Sequence, residues 1–170
     1  MSDQASMSDL AARLQVIEDR IAIEELFHTY FGYGRTADHG TFAEYFVDDF
    51  YLDINGIVCT SKEDVTKLYK DVFANKPRLT GKFHMQLTNF VIKVDGDTAT
   101  CSLVWTQQLN DTIKGPPRCI EQGREFDWLV RTDGKWKIKK RIVIADSGMP
   151  DLFDATWTPQ VDFSFEKAGG

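Results

Sequence analysis

Residues 118–146, RCIEQGREFDWLVRTDGKWKIKKRIVIAD, constrain this chain more than any other stretch. They read as two long strands joined at Asp133-Gly134, a dipeptide suited to the positive φ angles of a two-residue hairpin turn. Placing Thr132 opposite Lys135 fixes the pairing by counting: Leu129 faces Ile138, Asp127 faces Lys140 and Glu125 faces Ile142. One face then carries Leu129, Trp136, Ile138, Ile142 and Ile144, an apolar set that must meet other elements. Glu121, Glu125 and Asp127 share that face. Carboxylates there either line a cavity or mark a solvated face on which Asp127 pairs with Lys140.

Upstream, Leu10, Leu14, Ile17, Ile21, Leu26, Phe27, Tyr30 and Phe31 recur at helical spacing from about Ser8 to Tyr33. Such a helix must bury one stripe against something broad, and a sheet is the natural partner. Asp38 to Phe46 reads as a second, short helix, with Asp48 and Asp49 at its end or in solvent. Asn55-Gly56 predicts a hairpin between Phe50–Ile54 and Ile57–Thr60. Ser61 and Asp64 suit the cap and first turn of a third helix, which Lys76-Pro77 ends. Strands over 83–94 and 98–109 join at Asp95-Gly96-Asp97. Three helices and four long strands make an α+β fold: a cone-shaped, strongly curved mixed sheet wrapped around the long N-terminal helix, with an interior suited to a small ligand. With no repeat and no linker, residues 1–170 read as a single domain. Its core spans about 10–147, and an aromatic tail, 148–170, covers the sheet, the pocket mouth or a partner.

The formal charge of −6 and the lack of a basic run exclude nucleic acid as an expected partner. No stretch approaches the ~20 apolar residues of a membrane span. MSDQASMSDL lacks a signal pattern, and Cys59, Cys101 and Cys119 are odd in number and widely spaced; both point to reduced thiols in a cytoplasm. Neither CxxC nor HxxxH occurs, and phosphate-binding glycine loops are absent, so no metal and no cofactor is expected.

Several pieces together resemble the SnoaL-like branch of the nuclear transport factor 2-like superfamily. They are IEDRIAIEELFHTYF, then Phe46-Val47-Asp48-Asp49, then His84 with Thr88-Asn89, Ile92 and Val94-Asp95-Gly96-Asp97-Thr98-Ala99. The last is Gly123-Arg124 with Asp127, Arg131, Asp133-Gly134, Trp136, Ile138 and Arg141. The resemblance runs from about Leu14 to Asp146. It implies kinship with scytalone dehydratase, bile-acid dehydratases, diarylpropane lyases and polyketide cyclases, which move protons on ring-bearing substrates without a cofactor.

The resemblance also implies site residues. His84 matches the family histidine, a base or proton shuttle; Tyr30 and Arg141 match a tyrosine and an arginine of the lyase-like relatives. The position of the family's catalytic aspartate holds Arg35, which cannot orient an imidazole as an aspartate does. Glu121 and Glu125, inward-facing if the Trp136 face is concave, are then the leading carboxylate partners; a buried Glu serves as acid or base near neutral pH. Simple alternation puts Arg141 on the other face, so its use requires a β-bulge between Ile138 and Arg141. Arg35 and Tyr33 are expected to hold substrate oxygens, and Phe31, Leu52, Ile54 and Trp105 to form an apolar wall. The convex face with Phe126 and Trp128 is expected to pair subunits into a homodimer or higher homo-oligomer.

The expected function is a cofactor-independent lyase acting on a small hydrophobic, hydroxylated aromatic or alicyclic substrate. It would eliminate water or release formaldehyde from a diaryl diol by a retro-aldol step. An isomerase or cyclase in the same pocket, and a ligand-binding module in which His84 is structural, are the alternatives.

Overall fold

The computed structural model describes residues 2–30, 45–74, 82–110, 112–147 and 163–165. Helix α1 (Ser2–Tyr30) is followed by strands β1 (Phe46–Ile54) and β2 (Ile57–Cys59) and helix α2 (Lys62–Ala74). Four long strands follow: β3 (Lys82–Asp95), β4 (Thr98–Asn110), β5 (Arg118–Thr132) and β6 (Lys135–Ser147). They form one curved mixed sheet in the order β2-β1-β6-β5-β4-β3, in which only the β1–β6 pair is parallel. This is the α+β architecture that the sequence predicts.

The turns form where short-range chemistry favours them. Asn55-Gly56 and Asp133-Gly134 both take positive φ at each residue, the conformation of a type I′ turn. Asp53 Oδ1 accepts from the Gly56 amide at 2.7 Å, and Asn55 ties the first turn to β6 by accepting from the Ala145 amide at 2.7 Å. Ser61 caps α2: its hydroxyl accepts from Asp64 N at 3.0 Å, while Asp64 Oδ2 accepts from Ser61 N at 3.2 Å.

Three expectations are corrected. The first concerns register. Leu129 faces Ile138 as counted, but Trp128 faces Lys140, which leaves Lys139 as an extra residue on β6. Beyond it every partner moves by one: Asp127 faces Arg141 rather than Lys140, and Glu125 faces Val143 rather than Ile142. Ile142 and Ile144 therefore leave the Trp136 face, opposite Phe126 and Arg124. Strand β1 is irregular at the same level, between Phe46 and Tyr51, and Lys139 pairs with Asp49 there. The bulge that Arg141 requires is present.

The second concerns α1. Leu10, Leu14, Ile17 and Ile21 are exposed; Asp19, Ile23, Phe27 and Tyr30 are the buried side that lies on the sheet. Helical periodicity identifies a stripe without saying what covers it, and this helix carries two. The third concerns Phe46, which opens β1 beside Ile138 instead of closing a helix; residues 38–44 of that expected helix lie outside the described residues. Asp48 and Asp49 are on β1, exposed to solvent.

On the outer face, Phe163 and Phe165 pack on Phe126 with ring centroids 4.6 and 5.2 Å away, and Phe165 meets Trp128 at 5.0 Å. The chain's own tail thus occupies aromatic surface that the sequence assigns to a partner. Among the described residues no helix is long and apolar enough to cross a membrane, and all three cysteines are free thiols.

Candidate active site

Alternation on β5 turns Glu125, Asp127, Leu129 and Arg131 toward α1, and the bulge on β6 brings Arg141 to the same side. Three ionisable side chains are thereby sealed together: Arg141 and Glu125 are each 1% exposed and Asp127 is 0%. Arg141 Nε donates to Asp127 Oδ1 at 2.7 Å, and its Nη2 lies 3.1 Å from Glu125 Oε1. The guanidinium is stacked over Tyr30, 4.4 Å from the ring centre, with Phe27 at 5.2 Å and Phe46 at 5.5 Å. Cys101 and Leu103 of β4 lie opposite Asp127 and Glu125, and Leu52 of β1 lies beside Arg141. Trp105 is next along β4. Its indole folds over Gly123, where a Cβ would come within 2.7 Å of the ring and 2.0 Å of the Ile144 carbonyl, so only glycine fits.

Electrostatics follow from the count of charges. Among the described residues, with both carboxyls ionised the cluster would carry one negative charge in excess out of water, a costly arrangement. Burial pushes Glu125 well above the ordinary carboxylate range, against the pull of Arg141 and with the help of Asp127. Burial also raises Asp127, held back by Arg141 and by hydrogen bonding with Glu125. Glu125 is raised the further of the two, while Asp127 is bonded to Arg141, so Glu125 is the carboxyl placed to hold a proton. Arg141 remains a cation: burial disfavours its charge, and the negative charge of the carboxyl cluster, Asp127 foremost, outweighs that penalty. Beside Asp127, the Cys101 thiol is pushed up by burial and by the neighbouring negative charge. The result is a neutral acid, a carboxylate and a fixed cation under one aromatic roof.

The structure brings together Tyr30, Glu125, Arg141, Leu52 and Trp105 of the residues singled out from sequence. Ile54, opposite Val143, is half-buried at the edge of the group. Glu121 is half-buried, opposite Gln107 and two positions beyond Gly123. Arg35, Tyr33 and Phe31 lie outside the described residues. His84 is elsewhere. It faces Gln108 on the edge strand β3, whereas Glu125 faces Leu103, five residues along β4 and thus roughly 16 Å away by strand rise. Alternation also puts His84 with the exposed Gln86 and Thr88, while its neighbours Met85 and Leu87 pack on the core. Asp127 is the residue that sequence reasoning undervalued: it shares a face with Glu125 at a spacing of two, and a buried acid pair needs a cation opposite.

The SnoaL-like domain family matches residues 15–142, a span that holds the whole cluster. The chain belongs to the SnoaL-like family. No curated protein matches it. Among solved structures it is similar to a protein of unknown function from Mycobacterium tuberculosis, 26% identical over 83% of this chain and 79% of that one, with a TM-score of 0.66. A nuclear transport factor 2-like protein of cystatin-like fold from Novosphingobium aromaticivorans is 22% identical over 87% and 92% of the two chains, with a TM-score of 0.67. A candidate scytalone dehydratase from the same organism is 18% identical over 90% and 99%, with a TM-score of 0.65. At these identities the last two likenesses speak for the shared fold. SnoaL-like domains include enzymes of the dehydratase type, and the chemistry of this member rests on its own residues.

Proposed function

We propose that this SnoaL-like protein is a cofactor-independent lyase for a small hydroxylated aromatic or polycyclic substrate, and that Glu125, Asp127, Arg141 and Tyr30 do the chemistry. The carrying observation is the pair of buried carboxyls, Glu125 and Asp127, held against one buried guanidinium. An elimination needs a base at one atom and an acid at another, and this pair supplies both. Asp127 accepts the proton from carbon as the double bond forms, and Glu125 gives its proton to the departing hydroxyl, which leaves as water. The proton on Asp127 then passes to the neighbouring Glu125 carboxylate and restores the starting state. A retro-aldol release of formaldehyde uses the same two transfers: Asp127 takes the alcohol proton, the carbon–carbon bond breaks, and Glu125 protonates the carbanion. Arg141 and the Tyr30 hydroxyl support the negative charge that develops on substrate oxygen. This reading gives His84 no step.

The complete burial of all three ionisable groups favours a second reading, a ligand-binding or assembly module in which the cluster only fastens β5 to β6. The two are separated by screening lignin-type diaryl, steroid-type and polyketide-type compounds for an absorbance change, then comparing variants on any substrate found. The enzyme reading predicts that Glu125→Gln lowers turnover by about 10²–10⁴-fold in a folded protein, while His84→Ala keeps it. Unchanged turnover in Glu125→Gln, or loss in His84→Ala alone, overturns the assignment.

A further inference from the structure

The exposed side of α1 carries Met7, Leu10, Leu14, Ile17 and Ile21, spaced three, four, three and four residues apart, between 53% and 67% exposed. This is the a/d pattern of a coiled coil, three heptads long if counted from residue 7 to residue 27. It lies on the opposite side of the helix from Asp19, Ile23 and Phe27, because Ile21 is two residues, or roughly 200° of helical turn, from Asp19. Residues 6–18 are exposed; Gln15 and Glu18 border a groove against the β5–β6 hairpin, and the turns before them have no packing to hold them. A helix of that length is marginal alone in water. The next d position is Glu24, half-buried, where the helix is already seated on the sheet and the apolar seam stops.

We propose that α1 pairs with α1 of a second copy of this chain as a parallel two-stranded coiled coil, with these five residues as its seam. The flanking charges choose the occupant and the direction. Positions g hold Arg13 and Arg20, and positions e hold Glu18 and Glu25, all exposed. In a parallel pair each g residue meets the partner's e residue five positions on, so Arg13 faces Glu18 and Arg20 faces Glu25 on both sides of the seam. In an antiparallel pair g meets g and e meets e, which would set Arg against Arg and Glu against Glu. Two copies of the same helix therefore complement each other in one orientation only. Since the sheet side of α1 faces away from the seam, the two sheets lie on opposite flanks of the coil and leave the buried cluster of each copy untouched. The seam is independent of the chemistry proposed above.

Sedimentation equilibrium of the full chain tests the seam, with circular dichroism to confirm folding. The wild type is expected to be dimeric, and the double variant L14E/I17E to raise the dissociation constant at least about a hundredfold while keeping its helix-and-sheet spectrum near the β-rich core. R13E/R20E and E18K/E25K are each expected to weaken self-association about tenfold or more, and their equimolar mixture to restore a dimer. Direction is read from Leu10→Cys in a Cys119→Ser background: a parallel seam brings the two new thiols together and oxidation cross-links the chains, whereas an antiparallel seam packs d against a and would set position 10 against position 14 or 21. A monomeric wild type, a dimer unmoved by L14E/I17E, or failure of Leu10→Cys to cross-link overturns the proposal.

Discussion

Two ion clusters stand on the same face of β5, four residues apart, and they solve burial in opposite ways. At the hairpin end, one carboxylate has three donors. Asp19 of α1 accepts from Arg131 Nη2 at 2.7 Å, from Gln15 Nε2 at 3.2 Å and from the Trp136 indole at 3.3 Å. Burial would raise Asp19, yet these hydrogen bonds outweigh it and hold the carboxyl below its ordinary range. Arg131 also reaches the exposed Asp97 at 3.0 Å and stacks on Trp136, so α1, the β3–β4 turn and the β5–β6 hairpin meet at one guanidinium. In the sheet interior the ratio among the described residues is inverted, with two carboxyls to one guanidinium, and burial wins. The number of donors per carboxylate decides whether a buried acid is locked ionised or keeps a proton. The first cluster fastens the fold, and the second stores an acid.

Four substitutions probe that contrast. Arg141→Met removes the cation that both buried carboxyls contact and should cost about 3–5 kcal/mol in urea unfolding, the largest effect of the four. Asp127→Asn removes the charge that Arg141 is bonded to, at roughly 1.5–3 kcal/mol. Asp19→Asn, at the rim, should cost about 1 kcal/mol, since Arg131 stays partly solvated and keeps Asp97. Glu125→Gln should cost less than about 1 kcal/mol near neutral pH, because a neutral amide replaces a neutral acid. An order in which Glu125→Gln is more harmful than Asp127→Asn would reverse the assignment of proton and charge.

The same contrast appears in the pH dependence. Glu125 is raised in the folded state, so the fold binds a proton that the unfolded chain releases. Its contribution is full below the ordinary glutamate range and is lost as pH rises toward the folded value. Asp19 is lowered, so its contribution is full above the ordinary aspartate range and is lost as pH falls through the folded value. Unfolding curves across pH should show Glu125→Gln flattening the loss on the alkaline side and Asp19→Asn flattening the loss on the acid side.

Much of this was legible in the residues. Asn55-Gly56 and Asp133-Gly134 announced their turns because few other dipeptides tolerate two positive φ angles, and Ser61 with Asp64 announced a helix start. The spacing of Glu125 and Gly123 put a carboxylate beside the apolar wall. The requirement that Arg141 needs a bulge followed from counting, but its place at Lys139 did not, since a bulge answers to the irregularity of β1 alongside. The buried stripe of α1 was misread because Leu10 to Ile21 is the more regular apolar series, while the true inner face begins with a charged residue, Asp19. His84 shows the limit of a match by type. On a strand one position changes the face, and Met85 rather than His84 has the inward phase.

The central claim is that Glu125 keeps its proton where other glutamates have lost theirs. Carbon NMR of protein labelled at the glutamate side-chain carboxyls, titrated from acid to mildly alkaline pH, tests it most directly. One resonance is expected to titrate well above the rest, to vanish in Glu125→Gln, and to move toward the ordinary range in Asp127→Asn as Arg141 becomes free to pair with Glu125 alone. A spectrum in which every glutamate titrates in the ordinary range would contradict the account.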